Sequence, residues 1–165
     1  FSKHQAEPFA DVALRQGTVV GCSPFGKRRT AVEAMFWDGL KKGVIKVSAS
    51  PTEKRAFIGI DNLIYFILNL ISGRIPVAIN GQPEIINLVE CHTDFFTLGE
   101  RIVSVLEDKG FSVQLEREII DRNRSHLVSD RKLNKLLGQY GLDDSIDRDL
   151  DAILRMAYSR IMRYC

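Results

Sequence analysis

The chain has 165 residues, of which 45% are hydrophobic and 27% are charged. That composition supplies enough apolar side chain for one ordinary core and excludes disorder as the main state. Lys and Arg number 23 and Asp and Glu number 21, so the net charge is only +2. This balance excludes recognition by bulk charge, as in histone-like proteins or polybasic membrane binders, and we expect neither nucleic acid nor a membrane as a partner.

The cysteines and histidines do not form the patterns of a disulfide framework or a metal site. Cys22, Cys91 and Cys165 are an odd number of cysteines and lie far apart, without a CxxC pair. The three histidines lack ligand spacing, so no metal is expected. The longest apolar run, residues 63–71, is about half of the roughly 20 residues that a membrane-spanning helix needs. A reducing cytoplasm is therefore the expected location.

Hydrophobic periodicity and turn residues predict helices and strands that alternate along the chain. In chain order the predicted elements are a strand over residues 11–20, a helix carrying residues 32–40, strands over residues 44–47 and 55–60, an apolar helix over residues 63–71, a strand over residues 85–89, a helix from residue 97 that ends at residue 110, a strand over residues 111–115, a short helix carrying residues 133–137 and a last amphipathic helix over residues 146–161. Alternation of this kind predicts an α/β layered architecture.

Residues at the predicted helix ends indicate how those ends are capped. Gly43 is expected to close the first helix in the left-handed conformation. Asp61 and Ser129 are candidate N-caps for the helices that follow them, and residues 97–100 form a candidate capping box. The helix over residues 63–71 is apolar on nearly every side, so we expect it to be buried between a sheet and another layer.

Five short stretches match motifs of one enzyme family, in the order in which the family has them. They are residues 2–7 (SKHQAE, against S-K-x-x-A-E), residues 14–24 (LRQGTVVGCSP, against L-R-x-G-[NT]-V-Y-G-x-S-P), residues 54–61 (KRAFIGID, against R-x-[FY]-[IV]-[HY]-V-x-D), residues 84–89 (EIINLV, against E-x-[FY]-N-[VI]-G) and residues 121–133 (DRNRSHLVSDRKL, against D-x-R-[SN]-Y-x-V-[SD]-x-x-K-[IL]). Gly59 departs from the usual aromatic or histidine, Val89 replaces a glycine, and the last stretch has one inserted residue and His126 for tyrosine.

The chain thereby resembles the extended short-chain dehydrogenase/reductase enzymes, the NAD(P)-dependent epimerases and dehydratases that mostly act on nucleotide sugars. The resemblance covers almost the whole chain but only the C-terminal half of the family. It implies an α/β fold, namely the C-terminal half of a Rossmann-like enzyme with a small mixed α/β substrate-binding domain. Residues 1–24 are expected to end the dinucleotide-binding domain and residues 25–165 to form mainly the substrate-binding domain, with residues 61–71 and 85–89 as candidates for returning to the core sheet.

Lys3 falls on the lysine of the family's catalytic Y-x-x-x-K pair, which places the tyrosine two residues before Phe1. A lysine one helical turn after a tyrosine lies on the same helix face. Its charge lowers the pKa of the tyrosine, which then acts as a general base near neutral pH. The resemblance also assigns Lys3 a hydrogen bond to the nicotinamide ribose. The alternative is that Lys3 is an exposed helical lysine.

Residues 16–18 lie in the most specific of the five motifs. Gln16 and Gly17 are expected cofactor contacts on the nicotinamide side, by resemblance alone. Thr18 stands where many relatives use Asn to hold the substrate, and its hydroxyl can still donate and accept a hydrogen bond. The alternative for Thr18 is a β-branched residue that fills the end of a strand.

A nucleotide sugar carries a pyrophosphate, which cations and helix N-termini bind. Three consecutive basic residues precede the helix that starts near Thr30: Lys27, Arg28 and Arg29. We expect a diphosphate cradle from these side chains and the free N–H groups of residues 30–32. The alternative is a solvated basic loop.

Two further arginines, Arg55 and Arg124, lie in motifs where the family commonly uses arginine to bind phosphate. The planar guanidinium fork suits that role. We expect the two arginines to converge on one diphosphate at the mouth of the substrate cleft. The alternative for each is a surface ion pair.

The glycine-rich phosphate fingerprint of the dinucleotide fold is absent from the 165 residues. The resemblance therefore implies that NAD or NADP binds only with a missing N-terminal half, in an intact parent that forms a homodimer and takes a nucleotide-sugar substrate. Two classes of function stay open. The chain is either the substrate-binding half of such an epimerase or dehydratase, inactive alone, or a non-catalytic sugar-nucleotide-binding or assembly module derived from the family.

Overall fold

Helices and strands alternate along the part of the chain that the computed structural model describes, residues 12–22, 30–76, 84–121, 125, 127–142 and 149–163. The strands are β1 (Val12–Gln16), β2 (Thr18–Val20), β3 (Val44–Ala49), β4 (Lys54–Gly59), β5 (Glu84–Leu88), β6 (Cys91–Asp94) and β7 (Gln114–Ile119). The helices are α1 (Ala31–Lys42), α2 (Ile60–Ile71), α3 (Phe95–Glu107), α4 (Arg131–Gln139) and α5 (Leu150–Arg163). The predicted α/β class is confirmed.

The strands pair mostly in parallel, as expected when helices connect them. β1 pairs with β5 and β3 pairs with β7, both in parallel. β2 pairs in parallel with β4, which also pairs antiparallel with β6. The sheet arrangement is therefore mixed, with β4 central in the three-stranded sheet.

The predicted single strand over residues 11–20 is two strands, because its pairing partner changes at Gly17. Before Gly17 the chain pairs with β5, and after it with β4. The Gly17 N–H still donates to the Leu88 carbonyl at 3.0 Å. A Cβ at Gly17 would lie 2.8 Å from the Ala56 carbonyl oxygen, so only glycine lets the two backbones approach this closely. The corner at residues 16–18 thus joins two sheets.

Two hydrophobic clusters hold the strands and helices together. The first packs α1, α3 and α5 against β3, with fully buried members Phe36, Ile45, Leu98, Ile102, Leu106 and Leu154. The second packs α2 and α4 against β5, with fully buried members Phe66, Ile75, Ile86, Leu88 and Leu137. Each such side chain contributes about 1.5–3 kcal/mol relative to full exposure. The two clusters therefore hold the β1–β5 and β2–β4 pairs in place from separate sides.

Helix α1 begins and ends as local sequence dictates. Thr30 is its N-cap, and Gly43 closes it with φ of 67° in the left-handed region, which confirms the prediction for Gly43. Phe36 is fully buried in the first cluster, in line with a core position rather than a stacking surface.

Helix α2 differs from the prediction of burial on nearly every side. Leu63 and Phe66 face the second cluster, but Ile64, Leu68 and Ile71 are 45%, 59% and 77% exposed. The prediction is wrong because the helix packs through one face only, and no described element covers the opposite face.

Asp61 does not cap α2, so that prediction is also wrong. The helix begins at Ile60, with Gly59 as the N-cap, and Asp61 lies inside the first turn. Its carboxylate instead forms an ion pair with Arg160 of α5. This contact joins α2 to the last helix. None of the helices in the described ranges is long and apolar enough to cross a membrane.

Helix α3 is capped by Asp94 rather than by the predicted capping box at residues 97–100. The helix begins at Phe95, two residues earlier than expected. The Asp94 carboxylate accepts hydrogen bonds from the Thr97 N–H at 2.8 Å and the Thr97 hydroxyl at 2.7 Å. Burial by itself would raise the pKa of Asp94, but these hydrogen bonds outweigh it and hold the pKa below its ordinary value of 3.8.

Replacing this cap is expected to destabilise the fold in a pH-dependent way. Asp94→Ala should lower the free energy of unfolding by about 1 kcal/mol at neutral pH, the usual cost of losing an N-cap. Because the pKa of Asp94 is lower in the folded state, its ionic contribution is complete above pH 3.8 and is lost as the pH falls through the folded value. Urea unfolding at several pH values measures both effects.

Asp94→Asn is the matched control, because asparagine keeps a capping oxygen but does not ionise. Its stability relative to wild type should approach zero difference in acid. A constant difference between wild type and Asp94→Asn down to the acid limit would contradict the lowered pKa.

The candidate substrate site

A cavity of about 350 Å³ opens at the corner between β1 and β2, beside the first residues of β4. Its lining comprises Gln16, Gly17, Thr18, Arg55, Ala56 and Val128. Four of these residues are sequence-predicted site residues, and they come from two motifs that lie far apart along the chain. The structure brings them to one place.

The corner positions the first three lining residues. Gln16 is exposed at the end of β1, whereas Gly17 and Thr18 are half-buried. Thr18 is in register with Phe57 of β4, and Phe57 belongs to the first hydrophobic cluster. The β2–β4 pairing therefore fixes the Thr18 backbone at the edge of the cavity.

Arg55 lies on β4 and lines the same cavity, but it is also paired. Its Nη2 donates to the Glu53 carboxylate at 2.6 Å, with the two side chains 23% and 7% exposed. The guanidinium carbon lies 5.9 Å from the centroid of the Phe95 ring, within range of a cation–π contact. The expected alternative for Arg55 was a surface ion pair; the pair that the structure contains is largely buried.

The Ser125 hydroxyl joins the wall of the cavity that carries Val128 to the turn before β4. It donates to the Thr52 carbonyl and accepts from the Lys54 N–H, both at 3.0 Å. One side chain thus bonds the backbone on either side of Glu53. Sequence reasoning did not single out Ser125 or Val128, although both lie in the motif at residues 121–133.

Glu53 was missed as well, although a signal for it was present. In an extended segment, residues two apart share a face, so a carboxylate two positions before a strand arginine can reach it. The pair Glu53 and Arg55 has that spacing. The motif directed attention to the arginine alone.

The expected diphosphate cradle before α1 is wrong at Thr30. The Thr30 N–H donates to the Glu33 carboxylate at 2.9 Å, and the Glu33 N–H donates to the Thr30 hydroxyl at 3.3 Å. This capping box uses a donor that the cradle needed and places a negative charge at the helix start. Five of the sequence-predicted site residues lie outside the described residues: Lys3, Lys27, Arg28, Arg29 and Arg124.

The glycine at position 59, where the family motif has an aromatic residue or histidine, has a local explanation. Its N–H donates to the buried Glu90 carboxylate at 3.1 Å. A Cβ at Gly59 would meet a Glu90 oxygen at 3.5 Å and the Ile153 side chain at 3.6 Å. A methyl group is tolerated at those distances, but a ring would displace Glu90 or Ile153.

Cys91, next to Glu90, is held in its protonated form. Burial first, and then the negative charges of Glu90 and Asp149, raise the pKa of the Cys91 thiol from 9.0 to about 11. Below pH 9 this shift lowers the thiolate fraction roughly 100-fold, and the thiolate is the form that reacts with alkylating reagents.

We therefore expect iodoacetamide to label Cys91 in the folded protein roughly 100-fold more slowly than an unperturbed thiol at pH 8. Its rate should rise with pH up to about 11. Peptide mass spectrometry of timed samples measures the rate, and urea-unfolded protein is the control that restores ordinary reactivity. Labelling of native Cys91 at the unfolded rate would contradict the prediction.

The lining residues can bind but cannot transfer protons near neutral pH. Arg55 offers a cation, Thr18 a hydroxyl and Gln16 an amide. None of the lining residues is a carboxylate, imidazole or thiol. No cluster of three potential metal-ligating side chains occurs within the described ranges. The cavity is thus suited to an anionic, hydroxyl-rich ligand.

Comparison with known proteins gives matches of structure rather than of sequence. No family model matches the chain, and no curated protein matches it. UDP-glucuronic acid 4-epimerase from Bacillus cereus, solved with UDP-glucuronic acid and NAD, is 18% identical with a TM-score of 0.66, over 93% of this chain and 46% of that one.

Two more solved structures share the fold. UDP-N-acetylglucosamine 4-epimerase from Methanobrevibacter ruminantium, in complex with UDP-N-acetylmuramic acid, is 18% identical with a TM-score of 0.64, over 93% of this chain and 46% of that one. The dTDP-glucose 4,6-dehydratase from Bacillus anthracis, in complex with NAD, is 11% identical with a TM-score of 0.62, over 92% of this chain and 44% of that one.

This chain therefore spans less than half the length of the solved structures it matches. Those structures are extended short-chain dehydrogenase/reductase enzymes, and the match covers their C-terminal part. The resemblance inferred from five short motifs is confirmed at the level of the fold.

Proposed function

We propose that this chain, which has the fold of the C-terminal half of those enzymes, is the substrate-binding part of an NAD(P)-dependent nucleotide-sugar epimerase or dehydratase. The observation that carries the proposal is the meeting of Gln16, Gly17, Thr18 and Arg55 at one cavity. The first three come from the motif beside the nicotinamide and the fourth from a phosphate-binding motif. Neighbouring cofactor and substrate contacts are what a hydride-transfer enzyme needs.

The residues assign the two ends of the cavity to different ligands. Arg55 supplies charge-assisted hydrogen bonds to a substrate phosphate. Thr18 holds a sugar hydroxyl, and Gln16 and Gly17 face the nicotinamide. Lys3 completes the reaction centre with the tyrosine that precedes it in the parent, and Arg124 joins Arg55 at the diphosphate.

The remaining parts of the proposal concern the parent protein. Residues 1–24 end its dinucleotide-binding domain and residues 25–165 form mainly its substrate-binding domain. The parent binds NAD or NADP, works in the cytoplasm as a homodimer, and loses turnover when reduced to residues 1–165, because the lining residues supply no general acid or base.

Turnover by the intact natural protein tests the proposal. Its mass should be near twice 18.7 kDa, since the matched enzymes are about twice as long. Given NAD or NADP, it should convert at least one UDP- or dTDP-sugar of a panel, and Lys3→Ala should abolish most of that turnover while circular dichroism shows an intact fold.

Two results would contradict parts of this account. Nucleotide-sugar binding without turnover by the intact protein would favour the non-catalytic module. Unchanged turnover in Lys3→Ala would remove Lys3 from the catalytic residues.

A further inference from the structure

Glu53 is a nearly buried carboxylate that no catalytic or binding role has yet absorbed. It is 6% exposed and lies in the turn that leads into β4. A charge this deep is costly unless it is paired, and its partner is the Arg55 guanidinium at 2.6 Å. The partner is also the one cationic side chain among the described lining residues of the cavity.

The backbone around Glu53 is held from three directions. Its own N–H donates to the Ser50 carbonyl at 3.0 Å, which closes the turn. The Ser125 hydroxyl bonds the Thr52 carbonyl and the Lys54 N–H, the peptide groups that flank Glu53. A carboxylate on so constrained a backbone can fix the orientation of the group it binds.

Arg55 is held without using all its hydrogen-bonding capacity. Glu53 binds Nη2, and the Phe95 ring lies 5.9 Å from the guanidinium carbon. The buried Nε has no hydrogen-bond partner within the described structure. Because a guanidinium has five N–H donors, the protein leaves most of them for an acceptor in the cavity.

We infer that Glu53 is the positioning residue of the substrate site: its carboxylate fixes the Arg55 guanidinium at the cavity so that the remaining donors meet one phosphate group of a nucleoside diphosphate. This inference rests on the proposed function. Glu53 itself touches no substrate. It replaces the flexibility of a long side chain with a fixed geometry, which lowers the entropy that binding must overcome.

A double-mutant cycle in the intact parent enzyme tests this role, with the nucleotide sugar that the enzyme converts as the probe. Glu53→Ala should raise KM for that sugar about tenfold, with kcat and the Kd for the nicotinamide cofactor unchanged. Glu53→Gln, which keeps an acceptor oxygen for Nη2, should recover most of the loss. In an Arg55→Ala background, Glu53→Ala should change KM by less than about twofold.

Glu116→Gln is the matched control, because Glu116 pairs with Lys46 on the exposed face of β7. Its KM should equal that of wild type. Equal tenfold losses from Glu53→Ala with and without Arg55 would overturn the positioning role, as would a fall in kcat alone. Failure of the wild-type parent to bind any nucleotide sugar would overturn the proposed function itself, and with it this inference.

Discussion

Arg55→Ala in the intact parent is expected to weaken nucleotide-sugar binding about ten- to a hundredfold, which corresponds to about 1.5–3 kcal/mol. That is the usual range for losing a hydrogen bond to a charged group. The loss should appear as a raised KM or Kd for the sugar. Affinity for the nicotinamide cofactor should stay nearly unchanged, because Arg55 lies in the phosphate-binding motif rather than the nicotinamide one.

The same substitution should also destabilise the fold, since it removes the partner of the nearly buried Glu53 carboxylate. We expect a loss of about 1–3 kcal/mol in the free energy of unfolding. Arg55→Ala combined with Glu53→Ala should regain most of this stability without regaining affinity. Titration calorimetry and urea unfolding separate the two effects.

Arg101→Ala is the control for a general loss of positive charge, because Arg101 forms an exposed ion pair with Asp151 on another face. It should change neither affinity nor, beyond about 0.5 kcal/mol, stability. Wild-type affinity in Arg55→Ala would remove Arg55 from the substrate site.

Gly17→Ala should cost about 3 kcal/mol of stability, the upper part of the range for overpacking. Its new Cβ would lie 2.8 Å from the Ala56 carbonyl oxygen and 3.2 Å from the Phe57 nitrogen. Backbone atoms of a paired strand cannot rotate away as a side chain can. The β2–β4 pairing must therefore open, which also moves Thr18 away from Arg55 and weakens sugar binding.

Gly138→Ala is the matched control, because a Cβ at that position in α4 meets no atom within 4 Å. Alanine should be neutral or stabilise the helix by up to about 1 kcal/mol. Urea unfolding compares the two variants. Equal stability of Gly17→Ala and wild type would show that the corner is more open than the structure has it.

Local sequence predicted those features that depend on neighbouring residues. A glycine after an amphipathic stretch has one obvious use, and Gly43 has it. Motif spacing placed Thr18 and Arg55 in one site although they lie far apart in the chain, and they line one cavity. The α/β class followed from alternation alone.

Features that depend on distant partners were not predictable. A continuous run of strand-forming residues conceals the change of partner at Gly17, because that change is set by β4 and β5. The exposed face of α2, with Leu68 and Ile71, carries the same apolar residues that a buried face would. Periodicity measures hydrophobicity, not coverage.

Helix starts failed for another reason. Asp94 and Thr97 are both good N-cap residues, so local preference did not choose between them. The antiparallel pairing of β6 with β4 ends at Asp94, and that pairing sets where α3 begins. The Thr30–Glu33 capping box had its sequence signature in view, but the basic residues before it drew the interpretation towards phosphate binding.

The most direct measurement is a crystal structure of the intact parent with NAD or NADP and its nucleotide sugar bound. The account predicts that a phosphate of the sugar lies at hydrogen-bonding distance, about 2.9 Å, from the Arg55 guanidinium. Arg124 should contact the same diphosphate, with the nicotinamide beside residues 16–18. A diphosphate bound away from Arg55, or guanidinium groups of Arg55 and Arg124 more than about 15 Å apart and so beyond shared reach, would contradict it.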